Sequence, residues 1–129
     1  VVTSTDFYPT LLECAGLPLL PEQHCDGVSM LPLLEGNPAF DRGAVFWHYP
    51  HYSNQGGVPG CSIRDGDWKL IEFFEEGRLE LYNLKEDIGE EEEVGERYPD
   101  TRDALQAKLH EWQKSIGAKI PKPNPNFGE

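Results

Sequence analysis

The sequence predicts an α+β fold, in which a four-stranded antiparallel sheet is packed by a C-terminal helix and preceded by a helix and loops. Three observations predict it. Four short apolar or alternating segments lie between residues 44 and 82 and are separated by turn residues. An apolar stripe at helical spacing follows over residues 105–116, and residues 3–16 carry a further helix signal. The length of 129 residues fits one domain with appendages.

The first helix is predicted over residues 3–16. Thr3 and its neighbours offer N-caps, and Asp6 falls in the first turn, where the helix dipole favours a negative charge. Pro9 is tolerated only if it also lies near that first turn, and Gly16 suits the left-handed position that ends a helix. The predicted buried face consists of Leu11, Leu12 and Ala15.

Residues 17–42 are rich in proline and glycine, which predicts loops. Within them, Ser29 caps a predicted short helix, Pro32 lies in its first turn and Gly36 closes it. Residues 37–42 then read as a linker to the sheet.

Residues 44–49 form a β-branched and aromatic run that predicts a buried strand. A long polar loop follows over residues 50–60, and Asp65-Gly66 is a strong signal for a two-residue hairpin turn. In the last strand, Leu79 and Leu81 alternate with polar residues. The sequence therefore predicts a meander whose strands span residues 44–49, 61–65, 68–74 and 78–82.

The last helix begins at Asp100 or Thr101 and runs to about Ser115 in this prediction. Gly117 ends it. One apolar stripe faces the sheet and consists of Leu105, Leu109, Trp112 and Ile116.

Composition and charge exclude several classes of protein. Lys and Arg total 11 against 23 Asp and Glu, and the formal charge of −12 disfavours nucleic acid and anionic membrane surfaces as partners. The chain has no apolar run of about 18 residues, so no membrane span is predicted. It begins with Val rather than Met, and we expect it to be a piece of a longer protein.

The cysteines predict neither a disulfide framework nor a zinc site, because their number is odd and none stands in a C-x-x-C pair. A single bridge between Cys14 and Cys25 stays open. Cys61 has no base fixed near it in sequence, so we predict no catalytic role for it. Asp65-Gly66-Asp67 reads as a turn rather than a metal site.

The best candidate for ligand contact is the region from His48 to residue 60. A strand that ends in a polar, glycine-rich loop is a common place for a binding site, and imidazole both donates and accepts hydrogen bonds near neutral pH. The alternative is that His48 is a satisfied core residue and His51 a surface residue. The glycines of the loop lack the following helix that a phosphate cradle needs. Taken together, the spacing shows no catalytic motif.

Four ordered segments resemble one family, the type I sulfatases (arylsulfatases). Residues 5–17 look like the helix that ends the large domain of that family, and residues 26–36 like its Asp-Gly-x-Ser-Leu segment. Residues 62–71 resemble its Ile-Arg-x-Gly-x-Trp-Lys-Leu hairpin. Residues 80–90 are similar to its Glu-Leu-Tyr-Asn-Leu-x-x-Asp-x-x-Glu signature.

The resemblance implies a fold and a division of the chain. The family has a large catalytic domain related to alkaline phosphatase, followed by a small domain with a four-stranded antiparallel sheet and a helix. By this likeness, residues 1–42 are the tail of the catalytic domain and residues 43–129 the small C-terminal subdomain.

The resemblance also implies that the whole protein hydrolyses sulfate esters, with formylglycine as nucleophile and Ca²⁺ as cofactor. No cysteine here stands in the Cys/Ser-x-Pro/Ala-x-Arg motif, because Arg64 is the third and not the fourth residue after Cys61. We therefore expect no catalytic and no metal-binding residue in this chain, which alone should be inactive. Its implied partners are its own N-terminal catalytic domain and a sulfated small molecule or glycan. Family likeness also implies export to the periplasm or outside the cell.

The predicted contribution of this chain is a scaffold and a set of residues at the substrate pocket. The predicted substrate-binding set consists of His48, His51, Tyr52, Asn54 and Gln55. These residues combine aromatic and hydrogen-bonding side chains, which suit the binding of a sugar. Two alternatives remain: a stand-alone acidic module that binds carbohydrate or protein without catalysis, and a purely structural subdomain. We expect the chain alone to expose a patch that favours self-association, which consists of Leu11, Leu12, Leu31, Leu33 and Leu34.

Overall fold

The computed structural model describes residues 1–37, 40–122 and 124–126. Its contacts divide the chain into two compact units, Val1–Gly43 and Ala44–Glu129, and each is described by itself. The assignment of residues 1–42 to a larger catalytic domain stays a prediction.

The N-terminal unit contains two helices joined by a loop. A 3-10 turn at Ser4–Asp6 continues into α1, Phe7–Cys14, and a short α2 spans Leu31–Leu34 with proline in its first turn. Both helices lie where the sequence predicts them. Gly16, at φ +67°, ends the first in the left-handed conformation that glycine adopts without a steric penalty.

The predicted buried face of α1 is wrong. Leu11 is 65% exposed, whereas Asp6 and Thr10 are buried. The reason is that α1 is fixed to the following loop by polar groups. The Val28 N–H donates to Asp6 Oδ1 at 2.9 Å, and the Met30 N–H donates to Thr10 Oγ1 at 2.8 Å. Of the predicted face, Leu11 and Ala15 are exposed and Leu12 is partly buried.

The second unit is built on an antiparallel sheet of four strands in the order β1-β2-β3-β4. The order and the antiparallel pairing confirm the predicted meander, and each strand bound agrees to within one residue. Gly66 and Gly77, both at positive φ, form the turns that join β2 to β3 and β3 to β4. The strands are β1, Val45–Tyr49; β2, Gly60–Asp65; β3, Trp68–Phe73; and β4, Arg78–Asn83.

The helix α3, Pro99–Ser115, packs on one face of this sheet. It begins with proline after Tyr98 rather than at the predicted Asp100 or Thr101. Ile116, which was predicted to belong to the buried stripe, is 54% exposed. Gln113, which the predicted stripe did not include, is buried. The core between sheet and helix consists of Cys61, Ile63, Leu70, Leu81, Val94, Leu105 and Leu109.

Trp68 and Trp112 pack against this core. Phe73 does not, because strand alternation puts it on the face opposite to Leu70. There it lies under the guanidinium of Arg78, whose Cζ is 3.9 Å from the ring centroid.

The segment between β4 and α3 protects the outer edge of β4. Glu93 Oε1 accepts a hydrogen bond from the Leu81 N–H at 3.0 Å, and the Val94 N–H donates to the Leu81 carbonyl at 2.9 Å. These bonds satisfy backbone groups that an edge strand would otherwise expose. The segment between β4 and α3 therefore has a structural role at the edge of β4.

The sheet thus has two distinct faces. The face under α3 is buried, and we name the opposite one the open face. Strand alternation brings to the open face the side chains of Trp47, Tyr49, Arg64, Lys69, Ile71 and Phe73.

Candidate functional site

The loop that joins β1 to β2 carries most of the predicted site residues. Its tip folds on itself, because the Ser53 N–H donates to the Gly57 carbonyl at 2.9 Å and the Gly56 N–H donates to the Ser53 carbonyl at 3.2 Å. Asn54 and Gln55 lie at this tip and are exposed. The backbone of the tip is thus restrained while its two amide side chains face solvent.

Tyr52 is fixed by a carboxylate from the neighbouring turn. Its hydroxyl donates to Glu75 Oε1. This hydrogen bond raises the pKa of Tyr52, since it is lost with the phenolic proton, and partial burial and the charge of Glu75 raise it further. Tyr52 therefore remains a neutral hydroxyl at neutral pH. Sequence reasoning missed Glu75, because it lies 23 residues away in the turn after β3.

His51 lies beside the end of β1 and is exposed. Its ring meets the ring of Tyr49 edge to face, with 5.6 Å between the centroids. The loop thus exposes an imidazole, a phenol and two amides. Such a set can hydrogen-bond a sugar or a protein surface.

His48 lies within β1 and points to the α3 face, as do Phe46 and Cys61. Its Nε2 donates to the Lys119 carbonyl at 3.0 Å, and its Nδ1 lies 3.4 Å from Gln113 Nε2. Both ring nitrogens therefore have partners within this unit. The other four predicted residues lie in the loop after β1, so contact of any of the five with substrate stays a prediction.

Cys61 lies under α3 in a setting that suppresses thiolate formation. Burial raises its pKa to about 12, and the charge of Glu72 contributes, with Cys61 Sγ 3.6 Å from Glu72 Oε2. The same carboxylate contacts His110 Nε2 at 2.7 Å. The thiol is therefore a structural group, since the thiolate is the nucleophilic form. The other two cysteines, Cys14 and Cys25, are free, so the bridge left open above is not formed.

Two signature segments noted in the sequence meet in the structure. Lys69 Nζ donates to both carboxylate oxygens of Glu90, at 2.6 and 2.7 Å. Asp87 Oδ2 accepts from the N–H groups of Glu91 and Glu92, at 2.7 and 2.8 Å. These charged residues hold the segment after β4 against the sheet. They are engaged in the fold rather than free to act on a ligand.

Among residues 1–37, 40–122 and 124–126, no group of three or more His, Cys, Asp or Glu side chains is placed to hold a metal ion. None of the helices in the same ranges has the length and apolar character needed to cross a membrane. The arrangement of the loop is suited to binding, and its side chains do not form a nucleophile with an adjacent base.

Comparison with known proteins identifies relatives. Residues 1–115 match the family described as N-sulphoglucosamine sulphohydrolase, C-terminal. A protein named Sulfatase from Formosa agariphila is 40% identical over 98 residues, covering 69% of this chain and 18% of that protein. Human arylsulfatase K is 29% identical over 119 residues, covering 85% of this chain and 22% of its own length. The chain thus spans about a fifth of these relatives.

Solved structures agree with these relatives. The structure of BT4656 in complex with its substrate D-glucosamine-2-N,6-O-disulfate superimposes with a TM-score of 0.70 at 30% identity, covering 96% of this chain and 25% of that one. BT1596, described as a 2-O GAG sulfatase, has a TM-score of 0.72 at 23% identity over 92% of this chain and 27% of its own, which shows the shared fold.

Proposed function

Because this chain belongs to the family of N-sulphoglucosamine sulphohydrolase C-terminal domains, we propose that it is the C-terminal part of an enzyme that hydrolyses sulfate esters of a carbohydrate. The observation that carries the proposal is the match over residues 1–115, which covers the first unit and most of the second. The stretches matched in the sulfatases that it resembles are only about a fifth of their length, so their remaining parts would supply the reaction chemistry.

The residues of this chain do not fit the nucleophile or the metal that family resemblance implies. Cys61 is a buried thiol with a raised pKa, and within the described ranges no acidic cluster is placed to hold Ca²⁺. Formylglycine and Ca²⁺ therefore belong, in this proposal, to a preceding catalytic domain. The chain by itself is inactive, and the whole enzyme is exported.

A sulfated carbohydrate is proposed as substrate on two grounds. The relative BT4656, at 30% identity, has D-glucosamine-2-N,6-O-disulfate as its substrate. The loop after β1 offers an exposed imidazole, a phenol and amides, which suit the hydroxyl groups and ring faces of a sugar. The acidic total charge of −12 disfavours retention of a sulfated glycan by the chain as a whole, so contact would be confined to this loop.

Within the proposed enzyme, the loop contributes contacts at the substrate pocket through His51, Tyr52, Asn54 and Gln55. His48 contributes indirectly. Its ring packs against Phe74, with 5.4 Å between the centroids, and thereby supports the end of the sheet from which the loop departs.

The proposal is tested by producing the protein encoded by the full reading frame and the 129-residue chain side by side. Sulfate release is measured with glucosamine disulfates and with an aryl sulfate. We expect release from the sugars by the full-length protein and none by the chain. A full-length protein that releases no sulfate but binds the sugars would instead identify a binding module.

The role of the loop is tested in the full-length enzyme with His51→Ala and Asn54→Ala. We expect KM for the sulfated sugar to rise while the fold is retained, because each change removes one hydrogen-bonding group from an exposed loop. Lys114→Ala, at the exposed end of α3, is the matched control. Equal kcat/KM for all three variants and the parent would leave the chain with a scaffold role only.

A further inference from the structure

The turn between β3 and β4 is attached to the loop after β1 at two points. At the end of the loop, the Phe74 N–H donates to the Pro59 carbonyl at 3.1 Å. Near its start, the Tyr52 hydroxyl donates to Glu75 Oε1. These contacts hold the Glu75 carboxylate beside the loop, so it forms part of the surroundings of any sugar that contacts Tyr52.

Glu75 is an anion without a counter-charge in this part of the chain. It is exposed, and among the described residues no Lys, Arg or His forms an ion pair with it. Its neighbour Glu76 differs, because Arg78 Nε lies 3.0 Å from Glu76 Oε2. Residues 50–60 contain neither Lys nor Arg. The negative charge beside Tyr52 is therefore uncompensated.

The hydrogen bond to Glu75 also determines what Tyr52 offers to a ligand. A tyrosine hydroxyl has one proton, and Tyr52 donates it to Glu75. The Tyr52 oxygen therefore faces a ligand as an acceptor. A sugar hydroxyl can donate to this oxygen or to the carboxylate, whereas an ionised sulfate group only accepts hydrogen bonds.

Charge and hydrogen bonding thus act in the same direction at this position. Two like unit charges about 4–7 Å apart in water repel by an amount that changes an affinity by about three- to fivefold. A neutral hydroxyl carries no such penalty. Like-charge repulsion of this kind is a common way to reject a competing ligand.

We propose that Glu75 is a specificity-determining residue, which positions Tyr52 and excludes a sulfate group from the part of the carbohydrate that meets the loop after β1. This inference rests on the proposed function. The sulfate that is cleaved lies in the preceding catalytic domain, and the sugar surface at Tyr52 carries hydroxyl groups. The substrate class is therefore a carbohydrate that is unsulfated where it contacts this loop.

The test uses the full-length protein and a set of sulfated glucosamines in which one further sulfate is added at each hydroxyl in turn. We measure kcat/KM for sulfate release and Kd by calorimetry, at low salt and at about pH 8, where an ordinary histidine is neutral. We expect at least one position at which the added sulfate lowers kcat/KM and raises Kd. Glu75→Gln should reduce that penalty by about three- to fivefold, because it removes the charge.

Glu76→Gln is the matched control, because it removes the same charge from the same turn but from a carboxylate paired with Arg78. It should leave the penalty in place. If Glu75→Gln leaves every penalty unchanged, or if Glu76→Gln relieves it equally, the inference is overturned.

The positioning of Tyr52 is tested with the sugar that lacks the added sulfate. Glu75→Gln retains an oxygen that accepts the Tyr52 proton, so KM should stay unchanged, whereas Glu75→Ala removes the acceptor and should raise KM. Tyr52→Phe should also raise KM but keep the penalty for the added sulfate, since Glu75 retains its charge. An unchanged KM for Glu75→Ala would show that Glu75 does not position Tyr52.

The two readouts separate this inference from the proposed function. Sulfate release without any discrimination that depends on Glu75 refutes the inference alone. Binding that Glu75 discriminates, without sulfate release, counts against the proposed function alone. Neither binding nor release of any of these sugars would overturn both.

Discussion

The buried ion pair between Asp6 and Arg42 is predicted to hold the N-terminal unit together. Asp6 is fully buried, and the Arg42 side chain is only 7% exposed. Arg42 donates to both carboxylate oxygens, through Nη2 to Oδ1 at 2.8 Å and through Nε to Oδ2 at 3.1 Å. The backbone N–H groups of Thr3 and Val28 also donate to this carboxylate, at 2.7 and 2.9 Å. One side chain thus joins the start of α1, the following loop and the end of the unit.

The perturbation is Asp6→Ala. It leaves the Arg42 guanidinium buried without its counter-charge, for which about 3–5 kcal/mol is typical. It also leaves the Thr3 and Val28 N–H groups without acceptors, and each such group costs about 1–3 kcal/mol where water does not reach it. A loss of at least about 3 kcal/mol is therefore expected, out of the roughly 5–15 kcal/mol that stabilises a domain.

The assay is urea denaturation followed by circular dichroism, together with limited proteolysis of residues 1–43. We expect the Asp6→Ala chain to be cleaved within this unit under conditions that leave the parent intact. Arg97→Ala is the control, because both members of its pair with Glu92 are exposed and such surface pairs contribute about 1 kcal/mol or less.

A double-mutant cycle decides whether the ion pair is the cause. Arg42→Met alone should be strongly destabilising, since it leaves the carboxylate buried and uncompensated. Asp6→Ala combined with Arg42→Met should cost less than the two single changes summed, because neither charge then remains. A strictly additive cycle, or a loss below about 1 kcal/mol for Asp6→Ala, would refute this reasoning.

Three further predictions concern single contacts. Cys61 should not react with a thiol reagent at neutral pH while the two exposed cysteines react, because burial raises its pKa to about 12. Reaction of Cys61 in the folded chain would contradict this prediction. Tyr52 should ionise at higher pH than an unpaired tyrosine, and Glu75→Gln should bring its ultraviolet titration back toward the ordinary range. Because the pKa of Tyr52 is raised in the folded chain, the stability from this contact is present below about pH 10 and is lost as the pH rises through the raised value. Lys69→Met should lower the free energy of unfolding by about 1 kcal/mol, because both partners of the pair with Glu90 are partly solvated, and an unchanged denaturation midpoint would count against it.

The regular elements were predictable because their signals are local. Asp65-Gly66 correctly places the hairpin between β2 and β3, where Asp65 pairs with Trp68 and Gly66-Asp67 form the two-residue loop, since glycine at φ +58° permits the tight turn. The stripe formed by Leu105 and Leu109 likewise identifies the buried face of α3 from spacing alone. Sequence-based predictions fail where the burial of a residue depends on a partner that is distant in the sequence. Asp6 reads as a first-turn acid, but its role depends on Arg42, which lies 36 residues further on.

The candidate site shows the same limit. The loop after β1 was predictable as an exposed polar segment, because its composition alone keeps it out of the core. The position of His48 on the α3 face was not, since its hydrogen bond goes to the Lys119 carbonyl 71 residues away. A histidine at a strand end is equally compatible with either face until the packing of α3 is known. The sequence alone therefore leaves open on which face of the sheet His48 lies.

The contacts of Lys69 and Asp87 explain what residues 62–71 and 80–90 do in the fold. Lys69, in the hairpin segment, is bound by Glu90 of the following one, and Asp87 orders the backbone that carries Glu90. Glu90 itself adopts φ +58°, a conformation that is uncommon for a residue other than glycine and that this ion pair helps to hold. The hairpin segment and the segment after β4 are thus joined by this ion pair. Lys69, Glu90 and Asp87 are therefore engaged in contacts within the fold. The reaction of the proposed enzyme is accordingly to be tested outside these segments, at the loop after β1 and in the proposed catalytic domain.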